Sequence, residues 1–231
     1  YIYKTEDGGE TWFLISNNLP NFGSTYTILE DHIDKNLLFT GTQFGLFFSK
    51  NGGKEWIQLK NGLPTIAVMS LAIQPRENDL VVSTYGRSVF ILDDYSPLRF
   101  LDESTLSKDA EIFPIKDALM FIPSTPFGFP GIGFMGSSFY SEPNPEVGAV
   151  FTYFIKDEVK SLKEKRREEE KKKQKKGEDL EYPSYEQLKA EQQEPEAFLL
   201  FTIADEEGNT IRKIKSGISE GVNRIVWDFR Y

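Results

Sequence analysis

The phrase "TEDGGETW" (Thr5–Trp12) returns as "SKNGGKEW" (Ser49–Trp56), and the Leu19-Pro20 and Leu63-Pro64 pairs stand at the same spacing of 44 residues. A repeat of this length marks a supersecondary unit that buries its apolar faces only against its neighbours. Between the landmarks the text divides into "STYTILED", "NLLFTGT", "GLFFSKN" and "EWIQLKN". These β-branched and aromatic runs, bounded by Gly, Asn, Asp and Pro, predict four strands per unit. A third copy, "VMSLAIQP", "DLVVSTYG" and "SVFILDDYSP", matches the first three strands before Pro97 ends the pattern. The expectation is the tail of one unit, one complete unit and one of three strands, the period and strand count of β-propeller blades.

Each repeated phrase reads as a hairpin turn. The Asp7 carboxylate can accept turn N–H groups, Gly8 and Gly9 permit positive φ, Thr11 can bond back, and Trp12 is expected to bury its ring between strands. The second copy keeps Ser49, Asn51, Gly53 and Trp56 but has Glu55 where the hydroxyl residue stood. These residues resemble the Asp-box, or bacterial neuraminidase repeat, S/T-x-D-x-G-x-T-W. The first copy (Thr5, Asp7, Gly9, Thr11, Trp12) matches throughout and the second departs at Asn51 and Glu55. Asp boxes occur in sialidases, xyloglucanases and sortilin receptors, on peripheral turns away from the active centre. The resemblance therefore implies a propeller and not sialidase chemistry. It also implies that the remaining blades lie outside residues 1–231, as a ring needs at least four.

Beyond Pro97 a short polar segment leads to an expected strand, "EIFPI", and then to a stretch dense in Gly, Pro and Phe that ends at "NPEVGA". Phe127, Phe129, Phe134 and Tyr140 in it are candidates for an aromatic sugar platform, against a plainer role as an ordered connecting loop. "AVFTYFI" reads as a strand, and residues 156–196 as a charged helical insertion broken at Pro183 and Pro195. "AFLLFTIAD", "TIRKIKS" and "NRIVWDFRY" are expected to form one antiparallel run. The "IADEEGNTIRKI" hairpin and "GVNRIVWDFRY" resemble the immunoglobulin-like module that follows the propeller in a bacterial group labelled sortilin-like or glycosyl hydrolase. The expected organisation is thus all-β: residues 1–97 the last blades of a propeller, 98–149 a connection, and 150–231 an immunoglobulin-like sandwich, truncated at its end, that carries the insertion.

The formal charge is −9, but Lys160–Lys176 alone holds +6, leaving −15 for the other residues. An acidic body repels nucleic acid and anionic membrane, so neither is an expected partner. The basic run itself reads as a solvated helix. With no Cys there are no disulfides or thiolate sites, and no apolar run reaches the length of a membrane span.

Catalytic constellations are sparse. Asp93 and Asp94 adjoin on a strand and so face opposite sides, which excludes them as a glycosidase pair. They read instead as a strand-ending Asx turn before Ser96-Pro97, and Glu30, Asp31 and Asp34 as the bounds of a turn. Arg76, Arg87 and Arg99 could in principle gather on a carboxylate, but their places in the repeat set them apart. Arg87 is the residue most suited to face a propeller opening. His32 is the single histidine, too little for a relay or a metal site. No cofactor is expected. The expected role is an exported protein- or glycan-binding scaffold. The alternatives are a glycoside hydrolase of the same architecture with its carboxylates largely elsewhere, and peptide capture inside the propeller tunnel.

Overall fold

The computed structural model of the chain describes residues 1–120 and 145–230. Strands hold 34% of the residues and helices 17%, so the protein is mostly β. It divides into two compact units, Tyr1–Leu106 and Ser107–Tyr231.

The first unit contains three antiparallel sheets of successive strands. β1 (Tyr3–Lys4) pairs with β2 (Phe13–Leu14). β3 (Thr25–Glu30), β4 (Leu38–Thr42), β5 (Gly45–Ser49) and β6 (Ile57–Leu59) form a four-stranded meander. β7 (Val68–Gln74), β8 (Asp79–Thr84) and β9 (Val89–Leu92) form a three-stranded one. The expected series of a partial, a complete and a three-strand unit therefore stands. No closed sheet occurs among the described residues.

Period-two alternation sends each sheet's apolar residues to two layers. Ile2, Ile15, Leu19, Leu38, Phe47 and Trp56 fill the layer between the first two sheets. Phe39, Leu46, Phe48, Val68, Leu80 and Val82 belong to the layer between the second and third. A Cβ at Gly41 would lie 2.6 Å from the Val68 carbonyl oxygen, so the bare glycine lets β4 and β7 approach this closely.

In the second unit, β10 (Ala110–Ile112), β11 (Ala149–Ile155) and β14 (Gly221–Trp227) make one antiparallel sheet, and β12 (Leu199–Ala204) and β13 (Thr210–Ser216) make another. This corrects the expected single run, because β14 leaves β13 and pairs with β11 through seven residue pairs. The register explains the crossing: Tyr153, Phe154 and Ile155 at the end of β11 are buried. A strand laid on β11 shields that backbone, which the β12–β13 hairpin alone would leave open.

The insertion forms α2 (Leu162–Lys176) and α3 (Tyr185–Gln193), which follow the short α1 (Glu103–Ser107) in chain order. Both α2 and α3 start with a capping box, Ser161 with Glu164 and Ser184 with Gln187, and Gly177 closes α2 at φ 72°. Neither buries a residue. The Arg166 guanidinium joins them by a two-pronged contact with Glu191 at 2.6 and 2.9 Å while also reaching Glu170. Those carboxylates push the guanidinium's pKa up.

Candidate functional site

The two box turns share one hydrogen-bond plan. In the first, the Gly9 N–H donates to Thr5 Oγ1 (2.8 Å) and the Thr11 N–H to Asp7 Oδ1 (2.9 Å). In the second, Gly53 N–H donates to Ser49 Oγ (2.9 Å) and Glu55 N–H to Asn51 Oδ1 (2.9 Å). Asn51 thus supplies the same acceptor as Asp7. The first turn also holds a bond from Thr11 Oγ1 to Asp7 Oδ2 at 2.5 Å, which Glu55 does not reproduce. The Thr11 hydroxyl and N–H, with Thr5, hold the Asp7 carboxyl well below the usual carboxylate range. Gly8, Gly9, Gly52 and Gly53 all take positive φ, as the turn requires.

The tryptophans differ. Trp56 is 4% exposed, as expected, but Trp12 is 59% exposed, which corrects the expectation that its ring is buried. Trp56 lies against the preceding sheet, where its Nε1–H donates to the Ile15 carbonyl at 2.6 Å and the Asn18 amide clasps its backbone N–H and C=O. Trp12 belongs to the first sheet of the described chain, and its Nε1–H turns back to Gly9 O within its own turn.

The acidic turn after β3 forms a charged clasp that was not foreseen. Asp31, with a fully buried side chain, accepts Arg99 Nε and one terminal nitrogen, each at 2.8 Å, and the Tyr95 hydroxyl at 2.5 Å. The same guanidinium reaches Asn78 Oδ1, while Lys50 bridges Asp34 and the Arg99 carbonyl. Burial raises the Asp31 pKa, but Arg99, Tyr95 and the Asp34 N–H outweigh it and the net shift is well downward. Burial and Asp31 push the Tyr95 phenol up. The Asp31 and Asp34 carboxylates are thus both committed to cations. His32 Nδ1 lies 3.3 Å from the Tyr95 hydroxyl at the rim of this clasp.

The three arginines do not converge. Arg99 is in the clasp, Arg76 pairs with Glu77 on the β7–β8 turn, and Arg87 is exposed on the β8–β9 turn at the other end of β8. Asp94 forms the foreseen Asx turn, accepting the Ser96 N–H and hydroxyl.

Arg87 has neighbours suited to a ligand surface. The β4–β5 and β8–β9 turns are built alike: Thr42 Oγ1 donates to Gly45 O, and Thr84 Oγ1 to Ser88 O. Each turn also bonds back to the residues just before the first strand of its sheet, Gln43 N–H to Ser24 O and Tyr85 N–H to Ala67 O. With β4 against β7 at Gly41, both turns lie at one end of the packed sheets. Phe22 (82% exposed) and Tyr85 (72%) stand at that end with Arg87. Tyr85 and Phe22 were missed at the sequence level, where nothing separates them from ordinary strand-end aromatics.

In the second unit a cavity of about 560 Å³ lies between the sheets, lined by Ile112, Phe151, Tyr153, Phe201, Ile203 and Ile214 among others. The Tyr153 and Phe201 rings meet there at 4.9 Å. The candidate platform residues Phe127, Phe129, Phe134 and Tyr140 lie outside the described residues. No cluster of three or more His, Cys, Asp or Glu able to hold a metal occurs among the described residues, and no described helix is long and apolar enough to cross a membrane. No family model, curated protein or solved structure matches the chain.

Proposed function

We propose that the first unit is part of an Asp-box propeller that binds a protein or glycan ligand, and that the second is an immunoglobulin-like sandwich serving as its scaffold. The observation that carries the binding reading is the exposed Tyr85 and Arg87 on the β8–β9 turn, at the same end of the packed sheets as the exposed Phe22 ahead of β3. Exposed aromatic rings stack on sugar faces or apolar side chains, and a guanidinium fixes carboxylate or hydroxyl groups. The shared box geometry and the succession of a two-stranded pair and two meanders support the propeller. Two facing sheets with aromatic contact between them support the sandwich. The same architecture includes glycoside hydrolases, but Asp31 and Asp34 are held by Arg99 and Lys50, which disfavours them as a catalytic pair.

Screening the full chain against glycans and peptides tests this reading. Tyr85→Ala and Arg87→Ala alter exposed side chains, so each is expected to weaken a bound ligand about tenfold while leaving the melting temperature unchanged. A ligand whose affinity neither substitution changes removes this surface from consideration. Release of free sugar would move the reading to hydrolysis.

A further inference from the structure

Lys-Asn-Gly occurs twice in the chain, at residues 50–52 in the second box and at residues 60–62 between β6 and β7. In an Asn-Gly pair the glycine backbone nitrogen lies one ring closure from the asparagine amide carbon, and glycine has no Cβ to obstruct the approach. Attack there closes a five-membered imide and expels the side-chain amide as ammonia. The two copies share the residues that take part, so the fold is what sets them apart.

At Asn51 the fold occupies both reacting groups. The Gly52 N–H donates to the Asn36 carbonyl at 3.0 Å. Asn51 Oδ1 accepts the Ser49 hydroxyl at 3.0 Å and the Glu55 N–H at 2.9 Å, which pins the side-chain amide over its own turn. Those donors polarise the amide carbon, yet the ring cannot close while the nucleophile is committed and the side chain is held. Asn61 is under neither constraint: among the described residues nothing hydrogen-bonds the Gly62 N–H or the Asn61 side chain. Both residues are exposed, and a Cβ added to Gly62, at φ 76°, would meet nothing within 4 Å, so the site is open to approach and to water. The repeat supplies a further contrast. Asn17, which stands 44 positions before Asn61, is tethered by its side-chain amide to the Lys54 carbonyl at 3.4 Å. Asn61 has no such tether.

We infer that Asn61 is a site of spontaneous covalent modification, where water converts the asparagine to aspartate and isoaspartate, while the box turn shields Asn51. The Gly62 backbone nitrogen attacks Asn61 Cγ; a C–N bond forms, the Cγ–Nδ2 bond breaks, and ammonia leaves with the proton that Gly62 gave up. Water then opens the imide. Addition at Cγ breaks its bond to the Gly62 nitrogen and gives aspartate. Addition at the main-chain carbonyl breaks the other bond and gives isoaspartate, whose backbone runs through the former side chain and is one carbon longer. Nothing is oxidised or reduced, and water is the single co-reactant. Either product places a new carboxylate in the link that joins the second and third sheets of the first unit. The inference is independent of the ligand surface at Arg87, which lies on the β8–β9 turn.

The test is peptide mapping by mass spectrometry on the full chain, kept folded in mildly alkaline buffer and sampled over days. Isoaspartate is counted separately, by enzymatic transfer of labelled methyl groups to its free carboxylate. Asn61 is expected to gain the mass of an amide-to-acid change at least about tenfold faster than Asn51, because ring closure at Asn51 must first break hydrogen bonds. In denaturant the two sites are expected to react at like rates, since they share Lys-Asn-Gly. Asn61→Gln, whose longer side chain closes a less favoured ring, should remove the signal at residue 61 and leave that at Asn51 unchanged. Three results would overturn the inference: an unmodified Asn61 in the folded chain, equal rates at the two sites in the folded chain, or a rate difference that survives unfolding. The last would assign the difference to the residues that follow, Gly53 and Leu63, and not to the fold.

Discussion

Two tryptophans in one motif have different surroundings. Trp56 fills an apolar layer and donates its indole N–H across it, whereas Trp12 returns that bond to its own turn and stays largely exposed. Trp56→Ala is therefore expected to destabilise the protein by about 3–5 kcal/mol, as large aromatic truncations in cores do. Trp12→Ala should stay within about 0.5 kcal/mol. Denaturant unfolding of both variants measures this, and an equal cost would mean that Trp12 is packed in solution. The contrast was illegible in the sequence because a motif states its own turn and not what lies beside it. The phrase is eight residues long, and the burial of its last residue depends on a carbonyl 41 positions earlier, at Ile15.

The box turns were legible because they are local. Each acceptor and donor lies within four residues, so residue type and spacing alone determine the bonds. The same locality makes the second box improvable. Its Asn51 and Glu55 lack the hydroxyl-to-carboxylate bond that Thr11 makes to Asp7. Asn51→Asp with Glu55→Thr restores that pair, and a single net hydrogen bond is worth about 0.5–1.5 kcal/mol. A rise in melting temperature for the double variant, absent in either single one, is the expected outcome; an additive or falling response would show that the turns are not equivalent. The strands between the boxes were legible for a similar reason, since alternation and turn residues bound each run. The path of β14 was not. Its partner β11 lies across the insertion and the β12–β13 hairpin, and a run that alternates well can be laid on either neighbour.

The Asp31–Arg99 contact spans 68 positions and ties the turn after β3 to the chain leaving β9, so it holds the second and third sheets of the first unit together. No local pattern announces it: "EDHID" reads as a polar turn, and Arg99 as one arginine among several. Its pH dependence follows from the depressed Asp31 pKa. The unfolded chain has an ordinary Asp near pKa ~3.9, so between that value and the lower folded value the unfolded state binds more protons. The stabilisation is complete above about pH 4 and is lost as the pH falls toward the folded value. Melting curves are expected to shift downward below about pH 4, and Asp31→Asn to lower stability at neutral pH while flattening that acid slope. An unchanged acid slope in the variant would assign the dependence to other carboxylates. With two compact units in the chain, the unfolding should be followed by probes in each, because one midpoint does not describe both.

The pairing of β11 with β14 also decides what a break in the backbone would do. Ile155 lies opposite Gly221, so everything from 156 to 220, both helices and the β12–β13 hairpin, is a single excursion that leaves and returns at one hydrogen-bonded gate. A nick in the exposed link between α2 and α3 therefore does not release a fragment. The two pieces stay zipped along seven residue pairs, and the lost covalent link removes only a closure whose entropy grows slowly with loop length. Continuity of the chain is dispensable there, and continuity of the sheet is not.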